Sequence, residues 1–310
     1  MNVALAESLA ELPDLLRAHL LVSGGAILIG VAVGLPLAVW AAASRRARTP
    51  LLGLAALVQT VPALALLALF YPMLLILGGA TGLPIPALGF LPALIALSLY
   101  ALLPILRNGV AALQGVDANV LEAADGIGMT RRQRLLMVEL PLGAPVILAG
   151  IRTAAVWTIG AATLATTVGQ SSLGNLIFSG LQTENWVRVL VGCAAAAALA
   201  LLVDGLLALI ETGLARRSRR RVGLGLAAMA AGAALAFLPL PGASGAGGET
   251  IVIGGLMQNR RETVKSGVPI LRSVPLLGRL FTRHIEIERK AELVIFLTPT
   301  IIAGQPPAGR

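Results

Sequence analysis

Charge is scarce in this chain. Asp, Glu, Lys and Arg make up 13% of its 310 residues against 57% hydrophobic, with mean hydropathy +0.87. That balance excludes an ordinary water-soluble domain and leaves an integral membrane protein. Aromatics are sparser still, at 4%. The net charge of +9 therefore has no interleaved rings with which to form a nucleic-acid surface, and its arginines fall between apolar runs, as topology signals do. The one cysteine, Cys193, lies in an apolar run, so no disulfide framework exists within one chain; it reads as a small packing residue. Two histidines, His19 and His284, stand isolated. There is no Walker phosphate loop, and Gly126-x-Gly128 follows a helix and lacks a third glycine in register, so it is no dinucleotide site. No catalytic constellation is left, and the expectation is a chain that is not an enzyme and holds no metal or cofactor itself.

What is present is apolar length. Runs at roughly 20–43, 51–78, 89–106, 143–168, 187–213 and 222–240 approach or exceed the ~20 residues a bilayer requires. Inside lipid each must be helical, because no water satisfies the backbone there. Five or six spanning helices are expected, the third and sixth runs being the shortest. Pro36, Pro62, Pro72, Pro92 and Pro104 predict kinks. Gly30 and Gly34 allow close helix contact, read as general packing in preference to dimerisation. Residues 1–19 hold Glu7, Glu11, Asp14 and Arg17 and no signal-peptide core, so they read as an amphipathic lead-in to a first helix that acts as an uncleaved signal. Arginines cluster at Arg45, Arg46 and Arg48, at Arg107, Arg131, Arg132 and Arg134, and at Arg216, Arg217, Arg219, Arg220 and Arg221. The opposite connections, about 79–88 and 169–186, hold only Glu184 among charged residues. The positive-inside rule then puts the N-terminus outside and the 107–141 segment in the cytoplasm.

That segment has a pattern of its own. Asn119 with Glu122, and Thr130 with Gln133, have the form of capping boxes around two short helices. Gly126 and Gly128 separate them, and Pro141 is expected to close the second before the next apolar run. Glu122-Ala123-Ala124, three residues, Gly128, nine residues, Val138, one residue, Leu140-Pro141 resembles the EAA loop of ABC-importer permeases, with Val138 where Ile is usual. The likeness continues through Pro145–Ala154 and Ser172–Phe178. Up to about residue 221 the chain resembles permeases of the glycine betaine, carnitine and choline (osmoprotectant) type.

The resemblance implies an all-α membrane protein with the type I ABC-importer transmembrane fold over residues 20–221. It also implies a second permease copy or sister permease, cytoplasmic ATPase subunits that carry ATP and Mg, and an external substrate-binding protein, at the bacterial inner membrane. Glu122, Ala123, Ala124, Gly128, Thr130, Leu140 and Pro141 would form the ATPase-coupling loop. Ala123 and Ala124 let a helix seat closely, and Gly128 permits a turn that a Cβ would obstruct. Glu122 is read equally as an ATPase contact and as the capping acid of Asn119. Arg152 and Asp204 are the notable charges in or near spans, functional candidates by their cost in lipid; a pair between them is one reading, separate contacts with waters and backbone carbonyls the other. Leu173, Gly174 and Asn175 are outer gate candidates in a re-entrant turn, the alternative being an ordinary external connection. An amino-acid or other small-solute importer of the same fold is the alternative function.

Residues 222–240 read as an extra transmembrane helix and 241–248 as a flexible linker. Beyond it the composition changes. Every basic residue before 249 is arginine, and both lysines, Lys265 and Lys290, lie after it. Gly254–Arg261, Val268–Phe281 and Glu292–Pro299 resemble the C-terminal part of secretins, with strand-like runs at 250–253 and 293–298 and Arg272-Ser273 where Gly-Asp is usual. The tail, 249–310, is thus a secretin-like fragment with β character, expected outside the cytoplasm and too short to close a barrel. It supplies an alternative of another class, an envelope or secretion-system component that uses the helices as its anchor.

Overall fold

The computed structural model describes residues 2–237, 251–267 and 282–297. They belong to two compact units, residues 1–239 and 240–310.

Among the described residues of the first unit the regular elements are all helices. Helix α1 (Asn2–Ala43) is a single rod of about 60 Å. The expected lead-in therefore runs into the first span without a break. The second apolar run is different: it divides into α2 (Arg45–Thr60) and α3 (Ala63–Thr81). Val61, ahead of Pro62, is extended at φ −74°, ψ 126°, as a residue before proline prefers. The break is tied to α4 (Phe90–Gln114), where the Tyr100 hydroxyl donates to the Val61 carbonyl and Gln59 Nε2 donates to the Tyr100 carbonyl at 3.0 Å. The first bond satisfies a carbonyl that the break leaves bare, and the second the Tyr100 carbonyl, which Pro104 four residues on leaves without a helical donor.

Helix α4 is the centre of the bundle, and small residues let its neighbours close on it. A Cβ added to Gly30 or Gly34 of α1 would lie 2.8 Å from Ala101 or 2.9 Å from Ile105, so the glycine pair packs α1 on α4 within the chain. On its other side α4 meets α7 (Leu140–Ala162), where a Cβ at Gly150 would lie 2.5 Å from that of Asn108. A core of Val22, Ala26, Leu67, Phe70, Leu97, Ala162 and Val168 joins α1, α3 and α4 to the end of the α7 rod.

Between α4 and α7 come α5 (Ala118–Gly126), α6 (Arg131–Arg134) and a π-helical turn (Leu135–Glu139). After α7 follow a 3₁₀ turn (Thr163–Val168), α8 (Gly174–Gln182), α9 (Trp186–Ala215) and α10 (Arg219–Phe237). Among the described residues, five helical stretches have the length and composition to cross a membrane. They are residues 4–43, α3, α4, the continuous 131–168 and α9. Helix α10, opened by Arg219, Arg220 and Arg221, is not one of them and lies along α9, its Gly225 against Ile210.

The second unit holds an antiparallel pair, β1 (Ile251–Gly267) with β2 (Thr282–Leu297). Ile251 stands opposite Leu297 and Gly267 opposite Thr282, with a bulge between Val252 and Gly254. The secretin-like stretch 268–281, residues 298–299 and the linker 241–248 lie outside the described residues.

Candidate functional site

The polar elbow between α4 and α7 is built by local chemistry. Helix α5 is capped by Asp117, whose Oδ1 accepts from the Asn119 N–H at 2.9 Å. The cap expected at Asn119 is thus two residues late, because Asp117 precedes it and occupies the role. Glu122 is free of that box and exposed, as is Ala123, while Ala124 is buried. After Gly126 the chain turns at Gly128, φ +82°, and the Met129 N–H reaches back to the Ala124 carbonyl at 3.2 Å. Nothing lies within 4 Å of a Cβ added at Gly128, so the demand for glycine comes from its backbone angle and not from crowding.

Thr130 opens the second helix with a full capping box: its N–H donates to Gln133 Oε1 at 2.8 Å, and its hydroxyl accepts from the Gln133 N–H. Pro141 does not close this helix. It stands in the first turn of α7, and α6, the π turn and α7 form one rod. Lacking an N–H, Pro141 leaves the carbonyl four residues back without its helical donor, and the rod widens just ahead of it; the Leu140 N–H bonds to the Leu135 carbonyl, five residues back. Arg134 bridges two parts of the elbow. Its Nη1 donates to Asp125 Oδ2 at 2.6 Å, and its Nε donates to Glu139 Oε1 at 2.9 Å. Around this frame Ile127 (75%), Met137 (65%) and Leu136 (51%) are exposed. Large apolar side chains exposed on a capped polar elbow are the kind of feature that partner surfaces are built from.

Arg152 and Asp204 meet within the bundle. Arg152 on α7 donates from Nε and Nη2 to the two carboxylate oxygens of Asp204 on α9, each at 2.9 Å. Its third arm, Nη1, reaches Glu211 at 2.7 Å. Glu211 escaped the sequence reading, although its spacing of two helical turns from Asp204 sets both on one face of α9. Leu173 is fully buried, Gly174 is buried and Asn175 is half-buried. The turn they form is bonded internally: Ser172 N–H donates to Asn175 Oδ1 at 2.8 Å, and Thr166 Oγ1 to the same oxygen at 3.0 Å. His19 ties it to α1, accepting from the Leu173 N–H at Nδ1 and donating from Nε2 to the Ile159 carbonyl. That role was not visible in a histidine with no motif. Arg188, also missed, grips both carboxylate oxygens of Glu11 and the Ser179 hydroxyl.

A family model described as the binding-protein-dependent transport system inner membrane component matches residues 34–216, elbow included. The chain belongs to that family. It is 38% identical over 204 residues to the choline transport system permease protein OpuBB of Bacillus subtilis, covering 66% of this chain and 88% of that one. The glycine betaine/carnitine/choline transport system permease protein OpuCB of the same organism is 38% identical over 193 residues, covering 62% and 83%. The osmoprotectant import permease protein OsmW of Salmonella typhimurium is 38% identical over 189 residues, covering 61% and 85%. In fold it is similar to an inward-facing MetNI methionine ABC transporter, TM-score 0.55 at 19% identity over 64% of this chain and 93% of that one. An amino acid ABC transporter gives TM-score 0.53 at 22% identity, covering 68% and 97%.

The chain is thus a membrane-embedded, multi-pass permease subunit with the type I importer fold. A second model, the bacterial type II and III secretion system protein family (secretin), matches residues 246–303 of this permease, where the resemblance of the tail lay.

Proposed function

We propose that this permease moves a quaternary-ammonium osmoprotectant (glycine betaine, choline or carnitine) into the cytoplasm, driven by ATP hydrolysis on a separate ATPase subunit. The observation that carries the substrate class is the 38% identity to permeases named for those solutes over nearly their whole length. Two permease chains, this one twice or with a sister, enclose the pathway. An external binding protein delivers the solute, and each elbow seats in an ATPase that holds ATP and Mg. The N-terminus lies outside and the elbow inside, because the arginines flank that side. Ile127, Leu136 and Met137 provide the apolar contact, and the capped helices give it rigidity.

The test is uptake of labelled choline, glycine betaine and carnitine by cells stripped of their own osmoprotectant importers, given this chain with the ATPase and binding protein encoded beside it. Uptake of a quaternary ammonium, lost on omitting any one component, is the expected result. Uptake of an amino acid instead would move the chain to the alternative substrate class, for which the fold likeness to amino-acid transporters leaves room.

A further inference from the structure

Helix α5 is tied lightly to the rest of the bundle. Its main packing partner is α6, and its chain connections pass through Gly115 at one end and the turn at Gly128 at the other. Among the described residues, the side-chain hydrogen bond that leaves α5 for another element is the one from Arg134 to Asp125. Arg134 sits at the last position of α6, immediately before the π turn, and its other arm grips Glu139, the last residue of that turn. The carboxylates differ in setting: the Asp125 side chain is 55% exposed and that of Glu139 15%. One guanidinium therefore spans three consecutive mechanical parts, a peripheral helix, a short rod and the widened turn at the root of α7. A planar fork holds two carboxylates in fixed directions, which a single ammonium does not. A π turn is a site where a helix yields locally.

We propose that Arg134 is a positioning residue that carries displacement of α5 into α7 by clamping Asp125 to Glu139 across the π turn. The inference rests on the reading of the elbow as the ATPase contact. With the clamp intact, a push on α5 moves the root of α7. With it cut, α5 shifts on its own connections and the push is lost at the Gly128 turn. ATPase docking rests on Ile127 and Met137, exposed side chains that are not part of the clamp.

The experiment uses the full complex with its ATPase and binding protein in vesicles, as native, Arg134→Gln, Arg134→Lys and Asp125→Asn. ATPase capture, ATP hydrolysis and labelled solute moved per ATP are all measured. The expected result is equal capture, hydrolysis within about twofold of native, and solute per ATP lowered about 5-fold or more in Arg134→Gln and Asp125→Asn. Arg134→Lys, able to hold one carboxylate at a time, should fall between. Asp125→Asn leaves the Arg134–Glu139 contact in place and so separates a broken clamp from a misfolded elbow. Unchanged solute per ATP in both Arg134→Gln and Asp125→Asn would overturn the inference and leave the transport reading standing. Failure of the native chain to capture any ATPase would overturn both.

Discussion

Arg152 of α7 and Asp204 of α9 form a two-pronged ion pair, and the remaining arm of the guanidinium is taken by Glu211. One cation thus answers two carboxylates, all three about a quarter to a third exposed. The arrangement is asymmetric: losing the arginine strands two like charges, while losing either acid leaves a neutral pair.

Arg152→Leu should therefore destabilise the detergent-purified protein by about 2 kcal/mol, less than a fully buried pair would cost because the groups retain some solvent. Asp204→Asn should cost about 1 kcal/mol or less. Thermal unfolding of the monodisperse protein checks the order. Equal losses would mean that the triad does not act as one unit. The charge swap Arg152→Asp with Asp204→Arg should restore stability only in part, because Glu211 keeps its place on α9.

Three glycines should respond differently to alanine. At Gly174 a Cβ would lie 1.8 Å from the Thr163 carbonyl oxygen, which is backbone and cannot move aside, so Gly174→Ala should sharply lower the yield of folded protein. Gly128→Ala meets open space but must hold φ +82°, at a cost of about 1–2 kcal/mol confined to the elbow. Gly126→Ala, unstrained and uncrowded, should be neutral or gain up to about 1 kcal/mol of helix stability. Size-exclusion profiles and unfolding curves of the three variants decide the order.

Ile127→Asp and Met137→Asp should leave the unfolding midpoint within about 2 °C of native, since both side chains are exposed. ATPase capture should drop at least about tenfold. Retained capture would remove these two residues from the docking surface.

A chain ended at Phe237 should unfold with the same midpoint as the full protein and support the same uptake, because the helical unit has its own core. A lost uptake with an unchanged midpoint would give the secretin-like segment a working part and favour the envelope reading.

Much of this was legible in the sequence, for physical reasons that can be named. Five of the six apolar runs hold a helix long and apolar enough to span, and the Thr130–Gln133 box is formed; both depend on local chemistry. The glycine pair at 30 and 34 packs as read. What was misjudged depends on competition or distance. Pro62 splits a run that hydropathy alone joins, and Asp117 displaces Asn119 as the cap by coming first. Pro141 widens a helix that it was expected to end, since a proline in the first turn is tolerated. Glu211 and His19 owe their roles to helices far away in the chain, and no local pattern announces such partners.

The π turn at Leu135–Glu139 also fixes a phase. Such a turn contains one residue more than a regular helix needs, and each residue of an α-helix advances the angle about its axis by about 100°. Closing that turn into a regular helix with every residue kept would swing the elbow around its axis by about that angle. Every side chain on either side would survive, yet the docking face would point away from its partner. Aim, in this protein, is set by a count.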